Sequence, residues 1–96
     1  EPEELYIYTS FTGGTIFGRN ILQGTNRLEL ILKAYGYKFQ VVDVATNEKA
    51  KKLWARSSKG KKLPGVIKGQ DIVGNWEDFE AANEFGEVNI LVDEFV

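Results

Sequence analysis

The 96-residue chain contains no cysteine, no histidine and no methionine. Without cysteine there is no disulfide framework and no thiolate nucleophile. Without cysteine and histidine there is no Cys/His metal site, and without histidine there is no imidazole base. Cysteine usage therefore says nothing about the redox compartment. Long apolar runs are missing too. None approaches the length needed to cross a bilayer, and no basic segment precedes an apolar one at the N-terminus. The expectation is a soluble, cytoplasmic protein with no membrane partner. The lack of even an initiator methionine suggests a piece of a longer protein.

What remains is ordinary for a globular domain: 43% hydrophobic and 27% charged residues, with a net charge of −2. Ninety-six residues make a single domain spanning 1–96, with a real but modest core. Glu1-Pro2-Glu3-Glu4 reads as an acidic linker end. Leu5 to Phe11 is β-branched and aromatic, the pattern of a central strand buried on both faces. Thr12-Gly13-Gly14-Thr15 ends it, without a Walker pattern or a G-x-G-x-x-G that would make it a phosphate loop.

Ile16, Phe17, Ile21 and Leu22 follow at near-helical spacing interrupted by Gly18 and Gly24. Each glycine weakens a helix interior by roughly 0.5–1 kcal/mol, so a broken or bent first turn is expected. These four apolar residues either close over the core edge or form a patch for a partner or a second copy. Asn26-Arg27-Leu28-Glu29 has the form of a capping box, which would open a helix carrying Leu28, Leu30, Ile31, Leu32, Ala34 and Tyr35 and ending at Gly36. Tyr37 to Val44 reads as a half-exposed strand. Thr46 or Asn47 caps a second helix with Ala50, Leu53 and Trp54 inward, Trp54 as core packing.

Lys62 to Phe79 carries the clearest pattern. Pro64 stands before the run Val66-Ile67, a turn at Gly69-Gln70-Asp71 leads into Ile72-Val73, and Gly74-Asn75 precedes a helix opening at Trp76. That is a tight hairpin feeding a helix, with Pro64 at the start of its first strand because it cannot donate to a ladder. The last helix runs from Trp76 to Phe85 with Phe79 and Ala82 inward, and stops at Gly86. The apolar tail from Val88 to Val96 reads equally as strand or helix.

This stretch resembles the second half of a glutaredoxin, which implies a cis bond at Leu63-Pro64 and a thioredoxin-like α/β fold. In that arrangement a mixed four-stranded sheet is flanked by helices in the order βαβαββα. Val42-Asp43-Val44 with Asn47, Glu48 and Trp54 resembles the small glutaredoxin-like proteins of the SH3-binding glutamate-rich family, which also lack the catalytic cysteine motif. The family's nucleophilic cysteine would fall near Thr12 to Thr15, where this chain has no sulfur and no base to activate a hydroxyl. The resemblance therefore implies no enzyme activity and no cofactor. It leaves a vestigial glutathione groove at Leu63, Pro64, Gly74, Asn75, Trp76 and Glu77, where the alternative reading is residual glutathione binding or a redox-linked domain that borrows a thiol from another chain. Asn75 stands where the family has glycine, and Glu77 and Asp78 add negative charge beside it.

The charges are segregated along the chain. Lys49, Lys51, Lys52, Arg56, Lys59, Lys61 and Lys62 form a dense basic run, whereas every charged residue after Lys68 is acidic. RNA-binding motifs and aromatic platforms are missing, so nucleic acid is not expected as a partner. A solvated face, docking onto an acidic protein, or self-association using both signs all fit the run. A glutaredoxin-like domain without cysteine and with an acidic lead-in also looks like a fungal polarisome domain family. That likeness implies a homodimer, actin as a protein partner, and a place at the cortical cytoskeleton.

Overall fold

The computed structural model describes residues 4–10 and 16–93, and of residues 16–20 the backbone alone. The acidic lead-in up to residue 3, the Thr12–Thr15 segment, the side chains of Ile16 and Phe17, and residues 94–96 lie outside the described residues. Four strands form one sheet: β1 (Leu5–Thr9), β2 (Phe39–Asp43), β3 (Gly65–Lys68) and β4 (Asp71–Asn75). Their spatial order is β2-β1-β3-β4. β1 runs parallel to β2 and antiparallel to β3, and β3 and β4 pair as a hairpin with an irregularity between Val66 and Ile67. The interior position of β1 accounts for its nearly continuous burial, and the edge position of β2 for its half-exposed pattern.

Alternation along the strands divides the core into two layers. Leu5, Ile7, Val66 and Val73 pack on one side of the sheet with Leu28, Ile31 and Leu32 of α1 (Ile16–Ala34), Phe79 of α3 (Trp76–Glu84), and Val88 and Val92 of α4 (Val88–Asp93). On the other side Tyr8, Ile67 and Ile72 meet Ala50, with Leu53 and Trp54 packed against them, all three from α2 (Glu48–Ser57). Phe79, Ile7, Leu28 and Leu32 are fully buried, each such side chain contributing about 1.5–3 kcal/mol. The order βαβαββα holds, and the tail that the sequence left open adds a short fourth helix. Its Val88 and Val92 close the end of the first layer.

Local signals set most of the boundaries. Asn47 caps α2 by accepting from the Ala50 amide. Gly36 and Gly86 take positive φ just after α1 and α3. There the amides of Gly36 and Tyr37 donate to Lys33 and Leu32, and those of Gly86 and Glu87 to Asn83 and Ala82. Both endings therefore have the paired hydrogen bonds of a Schellman motif.

One expectation fails. α1 is continuous through Gly24 over 19 residues, so there is no broken first turn and Asn26 is an exposed mid-helix residue, not a cap. Tertiary packing overrides local propensity here, because Gly24 is buried against Pro64 and Trp76. The substitution Asn26→Ala separates the two readings. Removing a mid-helix asparagine is expected to stabilise the domain by about 0.5 kcal/mol in urea unfolding. A capping residue would instead be missed by about 1 kcal/mol.

Candidate functional site

Three surfaces could carry function. The first is the corner where the cis Leu63-Pro64 bond meets the start of α3. Pro64 is buried, and its carbonyl accepts from the Trp76 amide at 3.0 Å. Asn75 is also buried and caps α3. Its Oδ1 accepts from the Asp78 amide at 3.2 Å, while the Asn75 amide donates to Asp78 Oδ2 at 3.0 Å. Asp78 Oδ2 is in turn 2.9 Å from Lys61 Nζ, and Asn75 Nδ2 reaches the Lys62 carbonyl at 3.5 Å. Gly74 leaves room for this carboxylate, since a Cβ there would lie 2.9 Å from the Asp78 Cβ. Leu63, Pro64, Gly74, Asn75 and Trp76 are thus brought together, with Glu77 exposed on the first turn of α3.

The chemistry of this corner is self-contained. A helix start attracts anions because its first amides lack partners. Here the amides of Asn75, Trp76 and Asp78 already have acceptors within the chain. The carboxylate that fills the anion position is the protein's own Asp78. The phenol of Tyr8, on the far side of the sheet, is moved away from ionising at neutral pH, first by burial and then by Tyr6. Among the described residues there is no cluster of acidic, cysteine or histidine side chains suited to a metal ion. Nor is any described helix long and apolar enough to cross a membrane.

The second surface is the basic face. Lys49, Lys51, Lys52, Arg56, Lys59, Lys61 and Lys62 are all exposed. Lys49, Lys52 and Arg56 project from one side of α2 and, with Leu53, Ala55 and Gln70, line an open cleft of about 660 Å³. Ser57 Oγ donates to the Gln70 carbonyl at 3.0 Å, holding the end of α2 against the hairpin turn. Lys59 and Gly60 both take positive φ, and the Lys61 amide donates back to the Ser58 carbonyl. The loop carrying the last three lysines is therefore a tight turn, not a loose tether. Lys61 alone of the seven is ion-paired among the described residues, with Asp78. Trp54 lies beneath this face, half-buried, its ring centroid 6.2 Å from that of Tyr8. A Cβ on Gly65 would collide with its ring. That placement agrees with its reading as core.

The third surface is apolar. Of the four candidates in α1, Ile21 is half-buried and Leu22 is 47% exposed, while the side chains of Ile16 and Phe17 lie outside the described residues. Leu30, carried by the same helix, is 60% exposed. It shares an outer stripe with Leu22 and Asn26, at positions i, i+4 and i+8. Sequence reasoning missed a further patch at the corner of α3 and α4, where Phe85 is 72% and Ile90 50% exposed. The helical period was the available signal. Phe85 stands six residues after the buried Phe79, roughly 120° away around the helical turn and just past the end of α3.

No family model matches the chain. It is 47% identical over 93 residues to the uncharacterized protein YFR016C of Saccharomyces cerevisiae. The match takes in 96% of this chain and spans 7% of that protein's length. The structure of C. albicans actin interacting protein Aip5 superposes with a TM-score of 0.85 at 41% identity, covering 96% of this chain and 90% of that one. The holo form of glutaredoxin C1 from Populus tremula x tremuloides superposes with a TM-score of 0.65 at 16% identity, covering 97% and 78% of the two chains. The last likeness concerns the fold alone, which is that of a glutaredoxin.

The capping corner gives a direct test of this geometry. Asn75→Ala removes the acceptor for the Asp78 amide and is expected to lower stability by about 1–2 kcal/mol in urea unfolding. Loss of only a few tenths would mean that the reciprocal cap does not form.

Proposed function

The chain belongs to the family of the actin interacting protein Aip5, and from that premise we propose that it is a non-catalytic interaction module that docks on actin through its basic face. The observation that carries the reading is the 41% identity to Aip5 over nearly the whole of both chains. The charge on α2 and the turn after it supports the choice of face. Six of the seven basic side chains lack an ion-pair partner among the described residues, so their field is directed outward. A cluster of one sign speeds encounter with an acidic surface and falls away as salt rises. Residual glutathione binding is the weaker reading, because the amides that would receive a ligand carboxylate already hold Asn75 and Asp78.

The same reading places the domain at the cortical cytoskeleton, in the cytoplasm, as part of a cell-polarity regulator. It includes self-association through α1, where Leu22 and Leu30 present an apolar stripe to solvent. A homodimer would bring two basic faces to one polymer, and paired weak contacts bind far more tightly than single ones.

Charge reversal tests the docking face. With Lys51→Glu, Lys52→Glu and Lys59→Glu combined, co-sedimentation with actin filaments is expected to weaken at least about tenfold, at roughly 0.5–1 kcal/mol per reversed contact. The residual binding should also lose its salt dependence. Unchanged binding would remove the basic face from the reading. The α1 stripe is tested separately by light scattering. Leu22→Asp with Leu30→Asp is expected to convert a dimer to a folded monomer, and a dimer that survives both charges would place its interface elsewhere.

A further inference from the structure

The domain carries a knob and a socket on opposite sides of its sheet. The knob is Phe85 at the C-terminal end of α3, 72% exposed and flanked by the exposed carboxylates of Glu84 and Glu87. The socket is the open cleft of about 660 Å³ between α2 and the turn of the β3–β4 hairpin. The half-buried Leu53 and the exposed Ala55 give it apolar lining, and Lys49, Lys52 and Arg56 line it as well. A phenyl ring needs far less room than this, since a cavity of about 150 Å³ already holds benzene.

We propose that Phe85 of one copy seats in the α2 cleft of another, joining copies head to tail. The charges are complementary as well as the shapes. Glu84 and Glu87 meet Lys49, Lys52 and Arg56, and none of the five is ion-paired among the described residues. Cations of the rim would lie over or beside the aromatic ring, which adds an attractive term of its own. A desolvated aromatic ringed by complementary charge is the usual anatomy of a contact hot spot.

The topology decides what the contact builds. α3 and α4 pack on one side of the sheet and α2 on the other. A two-fold pair cannot seat both knobs at a single contact, so a pair joined by one contact keeps one free knob and one free socket. Such heterologous contacts propagate into open chains. The contact shares its basic residues with the actin face of the proposed function, so an occupied socket would hide Lys52 and Arg56 from that partner. It does not depend on actin, and it is distinct from pairing through α1.

Two variants isolate the contact. Phe85→Asp lacks the knob and keeps the socket, and Lys52→Glu with Arg56→Glu lacks the socket and keeps the knob. All three substitutions fall on exposed residues, and unchanged urea midpoints establish that both variants fold. Sedimentation equilibrium of the wild-type domain is expected to give a weight-average mass that climbs past a dimer with concentration and falls with salt. Each variant alone should stop at the mass of the α1 unit, with head-to-tail association weakened at least tenfold. An equal mixture of the two should regain association, since one supplies the socket and the other the knob. A wild-type mass that levels at monomer or dimer would overturn the proposal. So would a climb that persists in either variant, or a mixture that gains nothing. Phe85→Asp frees the basic face and is expected to keep co-sedimentation with actin at no less than the wild-type level, which separates failure of this contact from failure of the docking face.

Discussion

At Gly24 the backbone of α1 lies so near its neighbours that a Cβ would stand 2.9 Å from the Pro64 Cγ and 3.0 Å from the Trp76 Cγ. This close approach locks together three segments that are distant in sequence: the first long helix, the cis-proline turn and the start of α3. Alanine would raise intrinsic helix propensity at this position by about 1 kcal/mol. It would also force Pro64 or Trp76 outward, and both hold fixed places in the corner. Pro64 accepts the Trp76 amide, and Trp76 opens α3 directly after its cap. The ion pair between Arg27 and Glu80, at 2.7 Å, bridges the same two helices one turn further on. It is exposed and contributes little by itself, so the steric fit at Gly24 does more to set the spacing.

A second constraint holds α1 at the very next residue after Gly24. The hydroxyls of Thr9 and Thr25 lie 2.6 Å apart in the core, and the Thr25 hydroxyl donates to the Ile21 carbonyl. A hydroxyl has one proton, so Thr9 is the donor of the pair. Both side chains are buried and both are satisfied, which ties the end of β1 to α1 without a charge. In this way the thiol-exchange fold survives without its thiol. Its helix start is capped by Asn75 and Asp78, its proline turn is packed by Gly24, and the strand that would lead into a catalytic motif is anchored by threonine. Each feature ties together segments that are distant in sequence.

These features differ in how far sequence reveals them. The strands, the hairpin turn, the Asn47 cap and the helix ends at Gly36 and Gly86 are written in neighbouring residues, and they were legible. The continuity of α1 was not. Glycine and the Asn26–Glu29 pattern both argue locally for a break, whereas the packing that overrides them comes from Pro64 and Trp76. Asn75 was read as a departure from glycine, and its role as a cap became clear only with Asp78 folded back onto its amide. The basic run was legible as composition. That Lys49, Lys52 and Arg56 share a cleft with Gln70 depends on how the hairpin turn lies along α2. Leu30 and Phe85 were hidden for a simpler reason: hydrophobicity predicts burial on average, and the exceptions are the residues available for contact.

The sheet also converts a pattern along the chain into a pattern in space. The basic run falls on α2 and the turn after it, on one side of the sheet. Glu77, Glu80, Glu84 and Glu87 fall on α3 and the corner beyond it, on the other. Lys61 meets Asp78 and Arg27 meets Glu80 in ion pairs, but charges on opposite sides of a domain this size are otherwise separated by more than the ~8 Å screening length at physiological salt. The net charge of −2 therefore understates what an approaching molecule meets, which is a basic side or an acidic side according to its direction. Charge segregated in this way gives the domain an orientation in the field of a charged partner, so encounter on one face differs from encounter on the other.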